Sequence, residues 1–317
     1  MNATPRIGII GSGAIGGFYG LMLARAGFDV HFLLRSEYPA VSSQGLRLNS
    51  SVHGNLTLRP VQAYQSVADM PKCDWLLICV KTTSNTDLAP LITQAAAENA
   101  KVVMLQNGLA VEDELRPLLP DSLHLLCGLC YICAHRSAPG VVEHQSLGNL
   151  NLAYHSGPAT DDNSRQQIAE QGSEFFKQAG LDCGVLSNLT QARWQKLVWN
   201  APYNGLSVVL DADTRAIMQQ PDSRALSAAI MQEIIDAATA CGYQMPNNFV
   251  SKLLAVTDRM PDYLPSMYHD FVLNRPMELH ALYEVALKAA ADAGVPMPRT
   301  EMLYQSLLFL SQRPKPE

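Results

Sequence analysis

The feature that most constrains this chain lies at its start. A short apolar run, residues 7–10, leads directly into Gly11-Ser12-Gly13-Ala14-Ile15-Gly16. A helix-like apolar stretch, residues 15–26, follows and stops at Gly27. Ile7, Ile9 and Ile10 are β-branched and read as a buried strand. A bare G-x-G-x-x-G pattern says little; between a strand and a helix it has a physical meaning. Gly11 permits the tight turn, Gly13 lets the backbone approach a pyrophosphate, and Gly16 lets the helix pack closely on the strand. The phosphates would sit at the helix N-terminus, where free N–H groups and the dipole favour anions. The competing reading is a tight strand-to-helix turn that holds no ligand.

The next strand, residues 29–34, ends at Arg35. An acidic residue there would accept hydrogen bonds from a ribose 2′-hydroxyl and repel a 2′-phosphate. Arg35 can instead pair with a 2′-phosphate through charge-assisted hydrogen bonds. The expected cofactor is therefore NADP(H). Glu37 argues the other way, and an exposed loop arginine is the plain alternative.

Strands and helices then alternate. Residues 45–58 read as a two-strand excursion. Residues 75–80 form a solid apolar run, as a parallel strand covered on both faces requires. A helix is expected over 87–99, a strand over 101–105 and a short helix over 112–119. This alternation predicts an α/β domain with a doubly wound parallel sheet. Ligands of such sheets lie beyond the carboxyl ends of the strands. Arg35, Lys81 and Asn107 all occupy such ends. From residue 123 to 154 the pattern changes: two strands flank a turn at 137–140, and 150–154 adds a third alternating segment, all read as antiparallel additions to the sheet. A helix over 165–179 and a short strand over 181–186 close the domain.

The bulk properties exclude several classes of function. The 317 residues suffice for two domains, and 48% apolar with 16% charged residues is ordinary for a globular protein. A net charge of -6 argues against nucleic acid or an anionic membrane as the main partner. No apolar stretch approaches the about 18 residues of a spanning helix. A strand starting by Arg6 leaves no room for a signal peptide, so a cytoplasmic protein is expected. The seven cysteines are scattered and mostly within apolar runs, as in a reducing compartment. Cys127, Cys130 and Cys133 fall in an expected strand. Residues three apart there point to opposite faces, so no metal site is expected.

After Ser187-Asn188 everything reads as helix, which gives domains 1–187 and 188–317. The first helix of the second domain places Lys196, Asn200 and Asn204 four residues apart, in one stripe. Buried amides and ammonium groups without partners are costly, so this stripe should face a polar cleft or a network. A salt-bridged surface lysine is the plain reading of Lys196 alone. Pro202 should break or bend the helix near Val198. Further on, Pro265-Ser266-Met267-Tyr268-His269-Asp270 reads as a polar turn or short helix. Pro276 is expected at the first position of another helix, with Glu278 in its first turn. Asp270 could serve as the ion-pair partner of Arg275. His269 and His280 are given no functional role.

At this point the chain resembles the ketopantoate reductase family nearly end to end. The matching pieces are Gly-Ser-Gly-Ala-Ile-Gly at 11–16, Leu-Arg at 34–35, Val-Lys at 80–81 and Gln-Asn-Gly at 106–108. To these add Trp-Gln-Lys-Leu-x-x-Asn-x-x-x-Asn at 194–204 and Ser266-Met267-x-x-Asp270 with Glu278. The resemblance implies a Rossmann-type domain followed by an all-α domain like that of 6-phosphogluconate dehydrogenases. It implies that Lys196 is the catalytic lysine and that Asn200, Asn204, Ser266 and Glu278 hold the substrate. It implies that Arg35 and Lys81 contact the phosphate end of NADP, with Asn107 nearer the nicotinamide. The partners implied are a small 2-oxo acid and, as an assembly, a second copy in a homodimer.

The sequence departs from the family where Arg275-Pro276-Met277-Glu278-Leu279-His280 stands in place of Arg-x-Thr-Glu-Ile-Asp. The reaction expected is hydride transfer to a 2-oxo acid carbonyl, with Lys196 as general acid. The departures leave the reaction type intact and keep a different 2-oxo acid as an alternative. The farther alternative is an NADP(H)-binding sensor without catalysis, which would need the glycine turn but neither the Lys196 stripe nor Glu278.

Overall fold

The structure, a computed structural model, describes residues 4–313. The outermost residues of the expected domains, 1–3 and 314–317, lie outside the described residues. The chain divides into two compact units, and the division is not a single cut. One unit takes the residues up to Gln106 together with Val111–Leu189; the other takes Asn107–Ala110 together with the residues from Thr190 onward.

The first unit is α/β. In chain order it runs β1 (Arg6–Ile10), α1 (Ala14–Arg25), β2 (Asp29–Leu33), α2 (Tyr38–Gln44), β3 (Leu46–Ser50), β4 (Gly54–Leu58) and β5 (Gln62–Tyr64). Then follow β6 (Cys73–Ile78), α3 (Asn85–Ala95), β7 (Ala96–Met104), α4 (Val111–Leu115), β8 (His124–Ala138), β9 (Val141–Ser156), α5 (Asp162–Gln178) and β10 (Cys183–Val185). The strands form one sheet in the order β4-β3-β9-β8-β7-β6-β1-β2-β5, with β10 added beside β9. β1 pairs in parallel with β2 on one side and β6 on the other. The chain therefore leaves β1 in one direction and returns to build the sheet in the other. That reversal puts the turn after β1 at a topological switch point, where open α/β sheets bind ligands. Ile7, Ile9, Phe18, Tyr19, Phe32 and Trp75 anchor the core.

Three expectations need correction here. The helix expected over 87–99 ends at Ala95, and β7 begins at Ala96. Ala96 pairs with Cys73, the register shifts, and Asn99 takes a left-handed conformation before pairing resumes at Lys101 with Trp75. Sheet pairing has overridden helix propensity. The segment 123–154 forms two strands of 15 and 16 residues instead of three shorter ones. β8 and β9 pair antiparallel, yet β8 joins β7 in parallel, so only their mutual pairing is antiparallel. α5 starts earlier than expected because the Asp161 side chain accepts from Ser164 N at 2.9 Å.

The second unit is helical: α6 (Leu189–Val209), α7 (Thr214–Gln219), α8 (Pro221–Ala240), α9 (Phe249–Thr257), α10 (Ser266–Val272), α11 (Val285–Asp292) and α12 (Pro298–Gln312). α6 is its axis. It runs through Pro202 without the break that was one of the two outcomes expected there. Residues on every face of it are buried, Ala201, Tyr203, Asn204 and Gly205 among them. Packing on this scale outweighs the about 3 kcal/mol that an interior proline costs.

The helix expected from Pro276 also starts later. Residues 276–278 are irregular, and Leu282 N bonds to Glu278 O at 3.2 Å to open the helical ladder. A widened π turn, His280–Glu284, then leads into α11. No helix among the described residues is long and apolar enough to cross a membrane.

Candidate active site

In the first unit, the site is built around the turn after β1. Gly11 has φ +93°, and a Cβ at Gly16 would lie 1.9 Å from the Gly11 carbonyl oxygen. The turn can therefore close only with glycine at 16. Gly13 is the opposite case: nothing lies within 4 Å of a Cβ built there. It forms the extended N-cap of α1, whose first turn carries no acidic residue and whose cap makes no side-chain hydrogen bond. Ser12, Ala14 and Ile15 complete the turn. The open approach over Gly13, with unshielded helix N–H groups behind it, suits a phosphate.

Arg35 follows β2 and is exposed. Among the described residues it has no ion-pair partner, so its charge faces solvent. Glu37, the residue that argued against a 2′-phosphate, is turned inward and only 6% exposed. Lys81 follows β6 and precedes a short 3-10 turn, Thr82–Ser84.

Beside Lys81 lies a network the sequence reading did not assign. Gln106 Nε2 donates to Val80 O at 2.8 Å and to Asn85 Oδ1 at 2.7 Å. The Val80 carbonyl fixes which end of Gln106 carries the donors, and Gln106 in turn fixes the orientation of Asn85. Asn85 is 8% exposed, and its Nδ2 has no hydrogen-bond partner among the described residues. A buried amide donor left unpaired is costly, so this one suits an acceptor supplied by a ligand. Val80 also packs against Gly11, 2.6 Å from a Cβ built there. The orphaned donor thus belongs to the same end of the sheet as the glycine turn. Together, the open Gly13 and the Asn85 amide fit a dinucleotide.

In the second unit, the stripe on α6 is real. Lys196 is half-buried, and Asn200 and Asn204 are buried. Lys196 Nζ donates to Asn107 Oδ1 at 2.7 Å. Asn107 is carried by the loop 107–110, which three bonds tie to this unit. Besides Lys196, Arg193 Nη1 donates to Gly108 O at 2.7 Å, and Leu109 N donates to Ala281 O at 2.9 Å. Ala281 belongs to the π turn, a type of helix irregularity frequent at functional sites. Arg193 was missed as a site residue. Its spacing, three before Lys196 on one helix face, was the available signal.

Asn204 uses its amide to organise this unit. Its Nδ2 donates to Asn200 O at 2.9 Å, and its Oδ1 accepts from Met267 N at 3.3 Å. That bond pins the first turn of α10, next to Ser266. The Asn200 side chain and the Ser266 hydroxyl have no hydrogen-bond partner among the described residues. Asn200 is only 7% exposed and stands one helical turn from Lys196. Glu278 is buried at the entrance to the π turn. Asp270 lies within 3.6 Å of Arg275, and Arg275 N donates to Asp270 O at 2.7 Å. Asp270 therefore ties the end of α10 to the irregular segment that carries Glu278.

His280 pairs with Glu284 on the surface at 3.0 Å. Burial pushes the Cys133 and Cys79 thiols up, and the Cys183 thiol to about 11. Cys130 packs in the core beneath Tyr19, while Cys127 and Cys133 point to the other side of β8.

Comparison with known proteins gives two consecutive matches, the first of them running through the loop 107–110. Residues 7–157 match the family described as "Ketopantoate reductase PanE/ApbA", and residues 188–310 match its C-terminal counterpart. The 2-dehydropantoate 2-reductase of Nostoc sp. is 39% identical over 305 residues, covering 96% of this chain and 95% of that protein. The crystal structure of the Geobacter metallireducens 2-dehydropantoate 2-reductase superposes with a TM-score of 0.89 at 36% identity, over 96% of this chain and 99% of that one. That of the Methylococcus capsulatus enzyme gives 0.83 at 35% identity, over 98% of each chain.

Proposed function

The chain belongs to the ketopantoate reductase family, and on that premise we propose that it is an NADPH-dependent oxidoreductase reducing 2-dehydropantoate to pantoate, as in pantothenate and coenzyme A biosynthesis. The observation that carries this reading is the Lys196–Asn107 hydrogen bond, made by a lysine that shares one helix face with the buried Asn200 and Asn204.

The cofactor, when bound, supplies the hydride. The turn Gly11–Gly16 offers backbone N–H groups to the pyrophosphate. Arg35 pairs with the 2′-phosphate, Lys81 adds positive charge at the same end of the sheet, and Asn85 donates to a further acceptor. Lys196, as an ammonium, stabilises the negative charge that develops on the carbonyl oxygen and delivers the proton to it. Asn107 accepts one of the lysine's three N–H bonds and so sets the direction of the other two. Asn107, on the nicotinamide side in this reading, is by its bond to Lys196 also the lysine's orienting partner.

Asn200 and Ser266 are the polar groups open to the substrate, with Ser266 on its carboxylate. Asn204 acts through Ser266 by holding the first turn of α10. Glu278 accepts from a substrate hydroxyl, which discriminates against 2-oxo acids lacking one.

The experiment is a panel of 2-oxo acids followed by NADPH oxidation. 2-Dehydropantoate should give the highest kcat/KM. A faster substrate without the hydroxyl would replace the substrate assignment and Glu278's role. Absence of turnover with every member, despite NADPH binding, would leave the non-catalytic sensor.

A further inference from the structure

Glu37 follows Arg35 by two residues, yet its carboxylate is not presented where β2 ends. Oε2 accepts from Ser12 Oγ and from Gly140 N, each at 3.2 Å, and Oε1 is ion-paired with Arg136 Nη1. Ser12 belongs to the glycine turn, Gly140 to the β8–β9 turn and Arg136 to the end of β8. Glu37 is nearly buried, while Arg136 keeps about a quarter of its side chain exposed (28%). A carboxylate near the end of β2 would ordinarily select against a 2′-phosphate, by repulsion and by accepting from a ribose hydroxyl. Here that carboxylate is neutralised and its lone pairs are committed to three donors. Arg35 is left as the exposed charge of the segment.

We propose that Arg136 is a specificity-determining residue for the cofactor: by holding Glu37 inward it removes an acidic group that would otherwise favour NADH. The inference rests on the NADPH reading above. Arg136 acts through Glu37 and is a positioning residue. Its loss leaves a buried carboxylate without its counter-charge. The side chain relieves that by turning toward solvent, on the segment that bears Arg35. The Ser12 bond weakens with it, which couples the change to the glycine turn.

The test is a fluorescence titration of NADPH and NADH against wild type, Arg136→Met and the double variant Glu37→Gln/Arg136→Met, with a thermal melt of each. The quantity read is the ratio of the Kd for NADH to that for NADPH. Arg136→Met should lower this ratio about tenfold, chiefly by weakening NADPH. The double variant, which has no carboxylate to release, should return the ratio to within about threefold of wild type. It also removes the uncompensated charge, so it remains informative if Arg136→Met alone does not fold.

Equal weakening of both cofactors in Arg136→Met, or a double variant whose ratio stays low, would overturn the proposal and leave Arg136 a structural tie. A wild-type ratio near one would remove the NADPH reading. The Arg136 inference is judged separately, by the change in ratio between wild type and variants.

Discussion

Lys196 Nζ and Asn107 Oδ1 are 2.7 Å apart, although 89 residues separate them in the chain. The lysine comes from the long central helix of the second unit. The asparagine comes from a four-residue loop that leaves the first unit's sequence to join the second. Replacing Lys196 with Ala should lower kcat by about 10²–10⁴-fold, the usual worth of a positioned general acid, with NADPH Kd changed less than about twofold. Asn107→Ala should lower kcat less, and the double variant should resemble Lys196→Ala alone, because partners in one interaction are not additive. Stopped-flow turnover and a binding titration measure both. A lysine variant that keeps kcat within a few-fold would remove the assigned acid.

Arg35→Ala tests the 2′-phosphate assignment. Arg35 is exposed and follows a strand end, so its removal should not disturb the core. The Kd for NADPH should rise at least about tenfold, a loss on the scale of one charge-assisted contact, while the Kd for NADH stays within about twofold. Equal losses would assign Arg35 to a part shared by both cofactors.

Gly108→Ala tests the loop that carries Asn107. Gly108 has φ +111°, and a Cβ there would stand 2.4 Å from Ala281 Cβ and 2.7 Å from its carbonyl oxygen. The loop cannot stay in place with that carbon added, and Leu109 must give up its bond to Ala281. We expect kcat to fall at least about tenfold, as misplacement of an orienting group does, together with a lower melting temperature. Retention of wild-type kcat would show that Lys196 works without this loop's geometry.

His144 predicts a pH dependence of stability in the first unit. It is buried, and burial, partly offset by its bond to the Ser146 carbonyl, lowers its pKa below the ordinary histidine value. Nε2 lies 3.0 Å from Ser146 O and so must carry a proton, leaving Nδ1 to accept from Ser50 Oγ at 2.8 Å. The Ser50 oxygen already accepts from Val52 N and His53 N, so it has little room for a second N–H of the ring. The fold thus prefers neutral His144, and the unfolded chain binds the extra proton. The contribution is complete above about pH 6.5 and is lost as pH falls toward the depressed value. His124, also lowered by burial, acts in the same direction. The melting temperature should fall between pH 7 and 5, and less steeply in His144→Asn. An unchanged slope in the variant would assign the effect elsewhere.

Much of the site was legible because its parts are local. The glycine turn is written in six consecutive residues, and a strand before and a helix after leave it one conformation. The α6 stripe is equally local, since a four-residue spacing fixes one face of a helix whatever that helix packs against. The errors occurred where long-range contacts outweigh local preference. Ala96 joins a strand because Cys73 pairs with it, and α6 continues through Pro202 because burial on all its faces holds a helix that isolated chains would break there. Pro276 looked like a helix start, yet Asp270 and Arg275 hold the segment before Glu278 irregular.

The sequence alone determined the dinucleotide turn, the charge after β2, the alternation that makes the first unit α/β, and the lysine–asparagine stripe. Each depends on residues within a few positions of one another. Only the tertiary structure decided what the remaining polar groups do. Asn107 belongs to Lys196, Asn204 to the first turn of α10, and Glu37 to Ser12, Gly140 and Arg136. A hydrogen bond is made by whichever donor lies within about 3 Å. That partner is chosen by how strands and helices pack, and spacing along the chain does not record it.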